Sequence, residues 1–144
     1  MMSAQTARLV VFGVLLVHGL GHGGALAALL WRRYASSAAA DQAGWLAARS
    51  WALPSMAPAT ATTVASIFWI VAMVGFVAAA LSFWTGSGTG WASLAVASSL
   101  VSLSGILLFL GTWPTFNTIA AMSVNIAVLV TQLGLHWHRT GVAG

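Results

Sequence analysis

From Ser50 to His138 the chain contains no aspartate, glutamate, lysine or arginine, and a second charge-free stretch runs from Leu9 to Trp31. Such segments cannot supply a water-facing surface. A soluble domain draws about a quarter of its residues from the charged types, against 4% here, with 60% hydrophobic. The solvent for most of this chain is therefore hydrocarbon, and a bilayer core roughly 30 Å thick is crossed by about 20 helical residues. Four segments reach that length, at about 9–31, 62–84, 91–111 and 117–137. The expected fold class is all-α: an integral membrane four-helix bundle in a single transmembrane domain over 1–144, with a short interfacial helix between spans one and two.

Aromatic residues mark the same boundaries. Trp31, Trp84, Trp91, Trp113 and Trp137 fall at or beside predicted ends, and Arg32-Arg33-Tyr34 closes the first span, as interface anchors do at headgroup level. The connections 85–90 and 112–116 are short, which makes consecutive helices antiparallel neighbours. The segment from Arg32 to Thr60 is longer and holds every charge except Arg8 and Arg139. Within it Asp41 suits the N-cap of a helix over about 42–52, with Trp45, Arg49 and Trp51 in the headgroup layer. Pro54 and Pro58 then punctuate the approach to the second span. Ala25-Leu26-Ala27 resembles a leader cleavage pattern, but the apolar run continues to Trp31, so a spanning helix is expected instead.

A sequence pI near 11.8 reflects five arginines against the single Asp41 in an almost uncharged chain. It points to the lipid bilayer as partner, not to nucleic acid. Arg32, Arg33 and Arg49 on one side balance Arg8, Arg139 and the amino terminus on the other, so positive charge does not set orientation; an even number of spans places both termini on one side. There is no cysteine, which removes disulfides, thiolate metal sites and covalent haem attachment.

Small residues recur at helical spacing in the middle spans: Ala72, Gly75, Ala79 and Ser82 in the second, Ala95, Ser98, Ser102 and Gly105 in the third. Close approach of small residues holds helices together in lipid, so these stripes predict a packed hairpin. No ionisable group is expected to accompany the serines, and they are read as packing residues, not as a polar pathway.

The concentrated chemistry lies in span one, in His18-Gly19-Leu20-Gly21-His22. Positions i and i+4 share a helix face, and at that depth charge is costly, so two neutral imidazoles are expected. Span four carries a polar seam of Thr118, Asn125, Gln132 and His136 at spacings of seven, seven and four. His22 lies fourteen residues after Arg8 and Asn125 fourteen before Arg139, which predicts His22 and Asn125 at matching depth on antiparallel helices. The candidate ligand-binding or interhelical polar residues are thus His18, His22, Asn125 and Gln132. Gly19 and Gly23 would let a neighbouring helix approach this face and pin it structurally.

Two histidines make only half a tetrahedral metal site, so no metal is predicted; copper with Met73 or Met122 has no spacing behind it. Haem needs axial ligands on opposite faces of one iron, which one helix cannot supply. No cofactor is predicted, with haem, quinone or copper at the histidine face as alternatives. His136-Trp137-His138-Arg139 reads as a helix-end anchor. No nucleophile sits beside a base and no acid–base pair is present, so the reading leans against an enzyme and names no catalytic residue.

His18-Gly19-Leu20-Gly21-His22 in span one, Trp69 with Gly75-Phe76-Val77-Ala78-Ala79 in span two, and Asn125-Ile126-Ala127-Val128-Leu129 in span four together resemble small bacterial four-span proteins of unknown function. More distantly, the chain is similar to DoxX-like membrane proteins. The resemblance implies a four-helix bundle in the bacterial cytoplasmic membrane and, on the DoxX side, a quinone or redox partner; the arginine common near the start of the first DoxX span has no counterpart inside this one. The functional expectation is a non-enzymatic accessory or scaffold subunit, assembling with itself or a larger membrane complex. The alternative is a DoxX-like redox or ligand-binding protein using the His18/His22 face. A small transporter is a third reading, disfavoured by the lack of an internal repeat and of intramembrane charge.

Overall fold

A computed structural model describes residues 3–32, 48–86 and 90–135. The described residues form four helices and no strand: α1 (Ala4–Arg32), α2 (Pro58–Thr85), α3 (Gly90–Leu108) and α4 (Thr115–Leu129), the last running on into a π-helical turn over Val130–Gly134. They contain 29, 28 and 19 residues, and 20 for α4 with its π turn. Each is long and apolar enough to cross a bilayer, and the protein is an integral membrane four-helix bundle, as the four charge-free runs predict.

Local chemistry sets the ends. The Ser3 hydroxyl accepts the Thr6 N–H at 3.1 Å, satisfying one of the donors a helix leaves open at its start. Pro58 occupies the first turn of α2, where its missing N–H costs nothing. At the other end Gly86 adopts a left-handed φ of 65° and directs its N–H back to Phe83. Gly111 turns similarly, with φ 89°, between α3 and α4. α3 stops at Leu108, short of the predicted 111, because the chain folds into a turn in which the Thr112 N–H reaches the Phe109 carbonyl at 3.1 Å.

The interfacial helix predicted over 42–52 is not formed where it is described. Residues 48–52 are irregular, and 42–47, with Asp41 and Trp45, lie outside the described residues. Ser50 uses its hydroxyl to accept the Leu53 N–H at 3.2 Å, a local bond that competes with helix formation, and Pro54 disfavours helix in the residue before it. Trp51 donates its indole N–H to the Leu107 carbonyl, tying this strap to the end of α3.

α2 is the central element, packed against α1 on one side and α3 on the other; α4 leans on α3, and α1 and α4 barely touch. The small-residue stripes explain the closeness of α2 and α3. A Cβ added at Gly75 would meet the Ser98 hydroxyl at 2.1 Å, and one at Gly105 would meet the Phe68 Cβ at 2.8 Å. Gly19 lets α1 approach α2 in the same way, since an added Cβ there would fall 3.0 Å from the Phe76 Cβ. Large apolar side chains such as Ile67, Val74, Leu100, Leu107, Ile119 and Leu133 face outward, where lipid replaces water.

Two of the predicted interface anchors face outward and two do not. Trp31 and Trp84 are exposed; the Arg8 guanidinium donates to the Trp84 carbonyl at 3.2 Å and stands 5.9 Å from its ring centroid. Trp91 is buried instead, edge-on to Phe83 at 4.8 Å. Trp113 turns inward to the polar site described below. Proximity to a helix end gives depth along the membrane normal, not direction, and both indoles fill space next to small residues. Of Arg32 only the backbone is described; Arg33 and Trp137 lie outside the described residues.

Candidate functional site

His18 and His22 lie one turn apart on α1, their rings edge to face at 5.1 Å. The His18 Nε2 is 3.0 Å from Asn125 Oδ1, Asn125 Nδ2 donates to Ser102 Oγ at 2.7 Å, and Ser102 Oγ is 3.1 Å from His22 Nε2. The result is one continuous polar network across α1, α3 and α4. His22, Ser102 and Asn125 are buried, and His18 is half-buried. Phe76 of α2 presses on both imidazoles, edge-on to His18 at 4.5 Å and parallel to His22 at 6.2 Å. Trp113 closes the other side, 5.3 Å from His22 and 5.5 Å from Trp69.

The orientation of the Asn125 amide, Oδ1 toward His18 and Nδ2 toward Ser102, sets the direction of these bonds. An amide oxygen only accepts, so the His18 Nε2 must carry hydrogen; a neutral imidazole has one N–H, and His18 Nδ1 is left with its lone pair. Asn125 spends an N–H on Ser102, whose hydroxyl hydrogen is then available to His22 Nε2. On the far side of that ring, buried His22 Nδ1 has no hydrogen-bond partner.

Between α1 and α4, where contact is slight, runs a groove of about 660 Å³ lined by His18, His22, Trp113 and Phe116, with Gly13 and Gly21 keeping it open. Asn117 near the start of α4 also lines it, and the remaining wall is apolar. A second groove of about 560 Å³ lies between α1, α3 and α4, with Gln132 on its wall. Gln132 is buried and its Oε1 has no hydrogen-bond partner.

The predicted set is thus partly assembled. His18, His22 and Asn125 come together, but Asn125 bonds His18, not the depth-matched His22, which takes Ser102. Gln132 sits two turns beyond Asn125 on α4 and belongs to the other groove. Thr118 is half-buried and donates to its own helix at Pro114; His136 lies outside the described residues. Ser102 is the residue that the sequence reading missed. It lies on the packing stripe as predicted, yet an ionisable group does accompany it, supplied by α1. Gly19 and Gly23 face α2, where the Met73 sulfur would be 3.0 Å from a Cβ at Gly23, so they bring α1 onto α2 while the imidazoles bond side chains of α3 and α4.

Among the described residues no three His, Cys, Asp or Glu side chains converge to hold a metal ion. The donor set also suits haem poorly: both imidazoles come from one helix, and each Nε2 already has a hydrogen-bond partner. Fold and site together define a small integral membrane bundle with a hydrogen-bonded polar core beside a lipid-facing groove. Compared with known protein families, curated proteins and solved structures, the chain matches none.

Proposed function

We propose that this protein binds a lipid-phase amphiphile in the groove between α1 and α4, with the polar head at His18 and the apolar remainder along the groove walls. The observation that carries this reading is the half-buried His18 on the wall of an apolar groove of about 660 Å³. Small-molecule sites are typically concave, mostly apolar and about 300–1,000 Å³, with a few placed polar groups. The His22–Ser102–Asn125 network holds His18 in one orientation. Binding, not chemistry, is the activity, since the groove wall holds neither a nucleophile beside a base nor a carboxylate. A quinone, the ligand type implied by the DoxX-like resemblance, is one molecule of this kind.

The test is extraction from native membranes in polymer-bounded lipid discs, with mass spectrometry of the molecules that copurify. Gly21 lines the groove and an added Cβ there meets nothing within 4 Å, so Gly21→Leu projects bulk into the groove and replaces no residue of the polar network. An amphiphile enriched over bulk lipid by the native protein and lost from Gly21→Leu supports the reading. Equal retention by both proteins, or no enrichment, overturns it.

A second reading has its own support. Gly13, Gly21 and Gly24 of α1 all have open space where a side chain would be, and small outward residues permit close approach of another helix. On this reading the protein is an accessory or scaffold subunit, with a helix of a second copy or of a larger complex against α1. Crosslinking in native membranes decides it: a defined oligomer or partner supports assembly, and a lone monomer removes it.

A further inference from the structure

We infer that the ligand of the α1–α4 groove is a neutral amphiphile whose head is a hydrogen-bond donor, of the phenol or alcohol class, with its hydroxyl given to His18 Nδ1. The inference rests on the groove reading above and adds the chemistry of the head. It follows from the direction of the polar network. Asn125 is completely buried and presents Oδ1 to His18 at 3.0 Å and Nδ2 to Ser102 at 2.7 Å. Turning the amide over would reverse every bond in the network and put the hydrogen on His18 Nδ1, an outcome that the imidazole ¹⁵N spectrum below distinguishes. With Oδ1 as acceptor, His18 Nε2 is a donor, and the same ring cannot also donate from Nδ1 while neutral. The free lone pair of His18 is therefore at Nδ1, on a half-exposed ring that lines the groove.

The second imidazole does not reverse this polarity. His22 Nδ1 is sealed from the groove as well as unpartnered, so it is His18, half-exposed, that meets a ligand head. Asn125 is shielded behind it. An acceptor-only head, such as an ether, ester or quinone carbonyl, would face the His18 lone pair with none of its own hydrogens to give. A hydroxyl supplies the missing hydrogen. Trp113 and Phe116 on the same wall provide aromatic surface for a ring-bearing head, and the apolar walls accept an alkyl tail.

The experiment compares 4-octylphenol with its methyl ether, which differ at one hydrogen, on the full-length protein in phosphatidylcholine nanodiscs. Displacement of tritiated 4-octylphenol is measured. The phenol should bind about fivefold to tenfold more tightly than the ether, the worth of one net hydrogen bond. In His18→Phe the two should compete equally, and Gly21→Leu should bind neither. Imidazole ¹⁵N spectra provide a readout independent of any variant: the His18 Nδ1 resonance should have the unprotonated shift in the free protein and move when the phenol, not the ether, is added. If the ether competes as well as the phenol, or His18 Nδ1 proves to be the protonated nitrogen, the donor-head inference fails while the groove reading stands. If neither compound binds specifically, the groove reading itself fails.

Discussion

At the scale of single residues, Asn125 carries the most, because from α4 its fully buried amide bonds His18 of α1 and Ser102 of α3 together. Replacing it with Leu removes the His18 and Ser102 bonds together and leaves His18 Nε2 without a buried partner. Side-chain hydrogen bonds within membrane bundles average about 0.6 kcal/mol and reach about 1.7 kcal/mol. Asn125→Leu should therefore cost about 1–3 kcal/mol, read as the shift in reversible unfolding in mixed detergent. Ser102→Ala should cost a similar amount, since it strands Asn125 Nδ2 and His22 Nε2. Because the two substitutions break one shared bond, the double variant should lose less than the sum of the singles; strict additivity would show that the residues are not coupled. The three polar residues that cost most to bury, His18, His22 and Asn125, were legible in the sequence because few alternatives exist for such groups in an apolar span. Ser102 was not legible, since a serine on a small-residue stripe packs in the same way whether or not its hydroxyl meets an imidazole from another helix. Nor was the pairing: counting residues from charged flanks gives depth to about a turn, and one turn separates His18 from His22.

At the scale of elements, the four helices could be read from length, charge exclusion and flanking tryptophan, whereas the segment between spans one and two could not. Ser50 and Pro54 are signals against a helix at its end, but a plausible N-cap at Asp41 and aromatic spacing suggested one. The interhelical stripes give a sharp prediction. Gly75→Ala places a methyl group where the Ser98 hydroxyl stands, 2.1 Å away, so α2 and α3 must part or Ser98 must rotate out of its bond to Leu94. Overpacking of this kind costs about 1–3 kcal/mol, and Ser98→Gly in the same chain should restore much of it. Gly13→Ala is the control, with nothing within 4 Å of the added group. It should be neutral or stabilising by up to about 1 kcal/mol, because alanine loses less backbone freedom in a helix. Equal losses from both substitutions in an unfolding titration would show that helix propensity, not interhelical contact, governs these positions.

For the molecule as a whole, what matters is the asymmetry of the bundle: three interfaces are closed and the fourth, between α1 and α4, is open along a groove. Nothing in the periodicity of spans one and four foretold this, because a residue turned toward a groove and one turned toward a neighbouring helix have the same composition when both faces are apolar. An open seam beside hydrocarbon does not stay empty, so lipid chains must enter it when no ligand is bound. Trp113 reports on that, since it lines the groove and also rests against the buried His22. In protein labelled with 5-fluorotryptophan, the Trp113 resonance, assigned by Trp113→Phe, should broaden when lipids spin-labelled in the acyl chain are added. Filling the seam with Gly21→Leu should reduce the broadening, while Trp84, exposed at the other end of the bundle and absent from the groove wall, should respond alike in both proteins. Protection of Trp113 in the unsubstituted protein, equal to that in Gly21→Leu, would mean that α1 and α4 close on each other in the bilayer. The imidazole face would then serve only to pin helices, and a ligand would have no way to reach it.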